Sequence, residues 1–210
     1  MLYFAEATLD VDGGIQITGS HNPPDYNGFK MVLQHKPFFG ADIQSVGTMS
    51  AAGDWSEGSG SVSDHEILET YVQRLVKNFD GGAFRIGWDA GNGSAGPALE
   101  RLVQLLPGEH HTLYTEVDGT FPNLHPDPTD ESTLADLKKL VAEKKRDIGI
   151  AFDGDGDRIG AIDGEGRVIW GDQLLAILAE PVLKDVPGAT IIGDVKASQA
   201  LYHRIADLGG

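Results

Sequence analysis

From Phe84 to Phe152 the sequence alternates short apolar runs with stretches of helical period, and that alternation leaves few architectures open. The run at 84–88 predicts a strand, the glycine-rich stretch 91–96 a turn, and 97–106 a helix. A further strand is expected around 112–117, followed by a proline-rich loop over 119–130. Leu134, Leu137, Leu140 and Val141 share one helical face ahead of a strand at 147–152. Strands separated by helices pair in parallel, because a parallel connection needs a long crossover. The expected class is therefore α/β, with mixed and parallel sheets sandwiched by helices.

The flanks are less regular. Residues 14–18 read as a strand, 19–27 as a polar loop and 29–33 as a returning strand. Two strands and a loop cannot close a core, so residues 1–50 are expected to pack on something further. Residues 47–63 are rich in Gly and Ser and read as a linker. A helix is expected from Asp64, with Ile67, Leu68, Tyr71, Val72, Leu75, Val76 and Phe79 on its stripe. Beyond residue 158, Ile159–Ile162 and Val168–Trp170 predict a hairpin joined by DGEG. A helix then starts near Asp172, read as its N-cap, and should end or kink at Pro181, with a strand at 190–195 and a helix at 198–208 after it. Outside 64–152 only marginal stability is expected.

Composition limits the chemistry. The chain has no cysteine, so disulfides and thiolate catalysis are excluded, in keeping with a cytoplasmic location. Any metal is held by oxygen or imidazole, which favours a hard ion. Thirty-two acidic residues against sixteen basic give a formal charge of −16. Such a surface repels nucleic acid and anionic membranes, and an anionic substrate needs a few well-placed cations. No apolar run approaches a membrane span, and the first residues lack a basic segment of the secretory kind.

The sharpest motif is FDGDGDRIG at 152–160. Asp153, Asp155 and Asp157 alternate with glycines directly after a strand, and glycine lets the loop curl until all three carboxylates meet. Carboxylates brought that close need a cation between them. A calcium EF-hand loop begins similarly, but it requires glycine at its sixth position and glutamate at its twelfth. Those positions hold Arg158 and Gly164. Arg158 instead suits a site that handles phosphate, since a guanidinium forks onto phosphate oxygens.

The second motif is ITGSHNPPDYNGFK at 17–30. Ser20 sits between Gly19 and His21, Pro23-Pro24 stiffen the loop, Asn27-Gly28 mark a turn and Lys30 adds a cation. The esterase pattern G-x-S-x-G fails, because Thr18 and Asn22 occupy its glycine positions. A serine loop, a lysine and a metal loop are parts for phosphoryl transfer. Together, in this order and at this separation, the two motifs resemble those of the α-D-phosphohexomutases, in particular the bacterial phosphomannomutase/phosphoglucomutase branch. FPNLHPDPT at 121–129 resembles a further family segment, with Leu124 where histidine is expected.

The resemblance implies the end of domain 1 (residues 1–63, with the phosphoserine loop), a complete domain 2 (64–166, with the metal loop) and the start of domain 3 (167–210) of a four-domain enzyme. It implies that Ser20 carries a phosphate, and that Asp153, Asp155 and Asp157 bind Mg²⁺ with a phosphoserine oxygen of Ser20. Arg158 and Lys30 match active-site cations, Lys30 as a candidate for proton transfer, and His21 matches an active-site position of unassigned role. The implied reaction interconverts hexose 1-phosphate and hexose 6-phosphate through a bound hexose 1,6-bisphosphate. Hexose phosphates are then the partners, the preferred sugar and the oligomeric state being open. The first alternative is a truncated, non-catalytic piece that keeps metal binding. The second is a dinucleotide-binding module, because Gly91–Gly96 formally reads G-x-G-x-x-G with Glu116 after the next strand. A tight strand-to-helix turn explains those glycines more simply. His110-His111 are expected as a solvated pair ahead of a strand, Trp88 and Trp170 as packing residues, His125 as a loop residue, and His35 and His203 without evident partners.

Overall fold

Strands β1 (Gly13–Thr18) and β2 (Gly28–Leu33) pair antiparallel from Gly13↔Leu33 to Thr18↔Gly28, which makes Thr18 and Gly28 the last pair of the ladder. The computed structural model describes residues 1–20, 22 and 25–210. It divides into two units, residues 1–81 with 97–106, and residues 82–96 with 107–210.

In the first unit, helix α1 (Leu2–Thr8) lies against β1, close enough that a Cβ on Gly14 would come within 2.7 Å of Leu2 Cδ1. Strand β3 (Lys36–Phe38) follows β2 through Gln34 and His35, both at positive φ, as a twist-matched two-residue hairpin requires. Neither is a glycine, and the turn is held from outside. Buried Glu6 accepts the His35 backbone N–H at 2.7 Å and lies 2.8 Å from its Nδ1. His35, expected without a partner, therefore has one. Helix α2 (Ala41–Ala52) takes up the start of the expected linker and ends at left-handed Gly53, with no buried residue. Helix α3 (Leu68–Val76) starts four residues later than expected and stops before Phe79.

The second unit contains a five-stranded sheet. Strand β4 (Phe84–Asp89) leads into the glycine turn, and the chain returns to this unit for β5 (Gly108–Leu113) after helix α4 (Gly96–Leu102), which apart from Gly96 belongs to the first unit. A short 3₁₀ turn (Glu131–Leu134) and helix α5 (Ala135–Lys144) precede β6 (Ile148–Phe152), β7 (Ile159–Asp163) and β8 (Val168–Ile169). The order is β5-β4-β6-β7-β8. The first three strands are parallel and the last three antiparallel, a mixed sheet with helices as expected. Leu134, Leu137 and Val141 pack with Ala151 and Ile162. Gly87 and Gly149 let α5 approach closely: a Cβ on Gly149 would fall 2.9 Å from Val141 Cγ2. Burying one leucine such as Leu137 stabilises by about 1.5–3 kcal/mol.

Helices α6 (Gly171–Asp185) and α7 (Gln199–Asp207) pack through Ala179, Leu183, Leu201 and Ile205. Three expectations need correction here. Trp170, not Asp172, is the residue before α6, and the Asp172 carboxylate instead accepts the N–H groups of Gln173 and Ser198. Of the two outcomes expected at Pro181, an end or a kink, the end does not occur, since Pro181 lies inside α6. Residues 190–195 form no strand, because among the described residues no neighbouring strand bonds to them. No helix among the described residues is long and apolar enough to cross a membrane.

Candidate metal centre

Because Phe152 pairs with Ile159, residues 153–158 are a six-residue connection at the end of the sheet. Asp153 is fully buried at its base. Its Oδ1 accepts the backbone N–H of Asp157 (3.0 Å) and of Arg158 (3.1 Å), so the side chain ties off its own loop. Gly156 turns the chain at φ +69°, a conformation glycine adopts without steric cost. The loop thereby brings carboxylate oxygens of Asp153, Asp155 and Asp157 within 4.8 Å of one another. Asp155 is half-buried and Asp157 exposed.

The electrostatics follow from this geometry. Burial pushes the Asp153 carboxyl above its ordinary range, and repulsion from Asp155 and Asp157 adds to the shift, while the Arg158 backbone N–H opposes it. Three hard oxygen donors in one place, in a chain without cysteine, fit a hard divalent cation, which would remove the repulsion. Arg158 reaches from the same loop, its Nε 4.0 Å from Asp157 Oδ1, with its side chain 44% exposed. Of the residues expected at the site, these four are gathered in one loop.

Ser20 and Lys30 belong to the other unit. Ser20 is half-buried at φ +50°, and its N–H donates to Thr18 Oγ1 at 2.8 Å. A non-glycine residue held left-handed costs on the order of 1 kcal/mol and marks a position that the surroundings fix. Asn22 N–H closes a turn onto Gly19 O at 2.9 Å. Lys30 is half-buried in β2, opposite Gln16. His21 falls outside the described residues.

The glycine turn borders the metal loop. Ser94 N–H donates to Gly154 O at 2.9 Å, and a Cβ on Gly93 would sit 2.7 Å from that same oxygen. A Cβ on Gly91 would strike Pro126, and one on Gly96 would lie 1.9 Å from Thr115 O. Each glycine thus faces packed protein, which accounts for the formal dinucleotide pattern. Sequence reading did not connect this turn to the aspartate loop, since the contacts join residues sixty apart. His110 and His111 lie within β5 and not ahead of it, and Trp88 Nε1–H donates to His110 Nδ1 at 3.1 Å.

Residues 69–166 match the family model for phosphoglucomutase/phosphomannomutase α/β/α domain II, and residues 1–51 match the model for domain I. Together the matches cover more than two thirds of the chain. A phosphomannomutase/phosphoglucomutase of Pseudomonas aeruginosa is 40% identical over all of this chain and 46% of its own length. A phosphoglucomutase of Neisseria gonorrhoeae is 39% identical over a similar share. A solved phosphoglucomutase/phosphomannomutase family protein from Burkholderia thailandensis superposes with a TM-score of 0.90 at 42% identity, over 95% of this chain and 44% of that one. The chain spans just under half the length of the curated relatives it matches.

Proposed function

Because this chain belongs to the phosphoglucomutase/phosphomannomutase family of α-D-phosphohexomutases, we propose that it carries the phosphoserine loop and the Mg²⁺ loop of an enzyme interconverting hexose 1- and 6-phosphates. The observation that carries this reading is the convergence of Asp153, Asp155 and Asp157 within 4.8 Å. On this reading residues 1–63 contribute to the first domain, 64–166 form the second and 167–210 begin the third, and the enzyme works in the cytoplasm.

The chemistry assigned to the residues is as follows. Ser20 Oγ carries the phosphoryl group. A hydroxyl of the bound hexose phosphate attacks phosphorus as the Ser20 Oγ–P bond breaks, so the phosphoryl group passes to the sugar and gives a 1,6-bisphosphate. Lys30, in its neutral form, takes the hydroxyl proton and passes one on to the departing Ser20 Oγ. In the second half the serine oxygen attacks the other phosphate, and the proton returns to the departing sugar oxygen. Arg158 offsets phosphate charge. Mg²⁺, which Asp153, Asp155 and Asp157 would hold, would supply charge neutralisation for the transferring group. His21 lies beside Ser20 in sequence and is assigned to the same site.

Intact mass measured after incubation with glucose 1,6-bisphosphate and Mg²⁺ tests this reading. One added phosphoryl group, absent from Ser20→Ala, is the expected result. No gain with Mg²⁺ binding intact would make the chain a non-catalytic metal-binding piece. No Mg²⁺ binding by the folded chain would refute the aspartate-loop assignment.

A further inference from the structure

The glycine turn after β4 has no part in the chemistry above, yet it is bonded to the loop that does. We propose that the Gly91–Gly96 turn positions the cation-binding loop, with Asn92 and Gly93 as its positioning residues; the inference rests on the cation reading of Asp153, Asp155 and Asp157. Gly93 and Gly154 meet backbone to backbone. A Cβ on Gly93 would fall 2.7 Å from Gly154 O and 3.0 Å from Gly154 Cα, so any side chain there pushes the middle of the aspartate loop away. The neighbouring Ser94 N–H holds Gly154 O at 2.9 Å, and Ala95 backs Gly156, where an added Cβ would come within 3.1 Å of the Ala95 Cβ. Three consecutive residues of the turn therefore touch the two glycines that alternate with the aspartates.

The turn is itself fixed from its other side by Asn92, which is 6% exposed. Asn92 sits at φ +57°, a left-handed conformation that asparagine tolerates better than most residues. Its backbone N–H donates to Tyr114 O at 2.8 Å, and its backbone oxygen accepts the Asp118 N–H at 3.0 Å. Its Nδ2 donates to Glu116 O at 2.8 Å, and its Oδ1 accepts from Asn123 Nδ2 at 2.8 Å. All four polar groups of one residue thus join the segment 114–123 to the turn. The aspartate loop has a rigid mould beneath it, and the ligand oxygens inherit their spacing from that mould.

Mn²⁺ binding to the 210-residue chain, measured by calorimetry and by the EPR signal of free Mn²⁺, tests this alongside the Tm in EDTA. Gly93→Ala is expected to weaken Mn²⁺ binding by about tenfold or more, the scale of supporting-shell effects at metal sites, while the metal-free protein remains folded. Asn92→Gly keeps the left-handed backbone but loses both side-chain bonds, and should weaken binding in the same direction. Gly119→Ala, where a Cβ meets nothing within 4 Å, should bind as wild type does. Wild-type affinity in both Gly93→Ala and Asn92→Gly would overturn the proposal. Should Gly93→Ala fail to fold, Asn92→Gly decides by the same criterion. Failure of the wild-type chain to bind Mn²⁺ would instead remove the cation reading on which the inference stands.

Discussion

Replacing Asp89 by asparagine should remove one pH-dependent cost from the folded state. Asp89 ends β4 with 2% exposure. Its Oδ1 accepts the Gly91 N–H at 2.8 Å, and its Oδ2 has no hydrogen-bond partner among the described residues. Burial, with added repulsion from Asp136, pushes its carboxyl up to about 6 against the Gly91 N–H, which favours the charged form. Tyr114 donates to Asp136 at 2.7 Å, and its hydroxyl, raised to about 12 by that bond, stays protonated throughout. The folded chain thus holds the Asp89 proton more tightly than the unfolded chain does. Well below about pH 4 both forms are protonated and nothing is lost. Between about pH 4 and 6 stability falls as pH rises, and above that range the whole penalty, about 3 kcal/mol for a shift of about two units, is present. Asparagine keeps the acceptor for Gly91 and carries no charge. It adds an unpartnered NH₂, a cost of about 1–3 kcal/mol that does not change with pH. Urea unfolding of both proteins in metal-free buffer at about pH 4 and pH 7 reads out Asp89 with its coupling to Asp136, because the titrating groups that do not interact with Asp89 cancel in the difference. Stability of Asp89→Asn relative to wild type should rise by about 2 kcal/mol between those pH values, since a small part of the penalty is already present at about pH 4. A difference that stays flat would refute the claim that burial raises the Asp89 carboxyl above its unfolded value.

Three further outcomes are expected. Leu137→Ala empties a fully buried position under β4 and β6 and should destabilise by about 2–5 kcal/mol in urea titration. Gly96→Ala places a methyl group 1.9 Å from Thr115 O, which the turn cannot accommodate without moving, and a loss above about 2 kcal/mol should appear as a lowered Tm. Asp153→Asn keeps an acceptor for the Asp157 and Arg158 N–H groups but removes one of three repelling charges. Its Tm in EDTA should equal or exceed that of wild type, whereas the rise in Tm on adding Mg²⁺ should be lost.

Elements governed by local pattern were legible in the sequence. β1, β2, β4, β6 and the β7–β8 hairpin follow apolar runs bounded by turn residues, and Ser198 caps α7 through a bond from the Ala200 N–H. Elements decided by distant partners were not. The β-rich stretch around 112–117 suggested a strand, but Tyr114 takes φ +53° and ends β5 there, so the paired segment is Gly108–Leu113. Its start is set by tertiary contact, with Gly108 against Phe84, where a Cβ would fall 2.1 Å from a backbone oxygen. Residues 190–195 have strand composition, yet Ile192 and Val195 are more than four-fifths exposed, because a strand exists only where another bonds to it. Pro181 stays within α6 because its missing N–H affects only the bond to Ile177, on a half-exposed stretch of the helix. At the site, strict alternation of aspartate and glycine revealed the ligands. The support from Gly93 and Ser94 depends on a fold-level contact that no local pattern encodes.

The sheet changes from parallel to antiparallel at β6, and the aspartate loop occupies that change. A parallel continuation needs a crossover of a dozen or more residues, whereas an antiparallel return can be made in six. All three candidate ligands therefore lie within five consecutive residues clamped by ladder bonds at Phe152 and Ile159. Little chain freedom remains to be lost when a cation arrives, so its binding free energy is not consumed in ordering the loop. The same shortness prevents the loop from adapting to ions of different radius by spreading. The mutual spacing of the three carboxylates is thereby built into the topology as well as into the residue types.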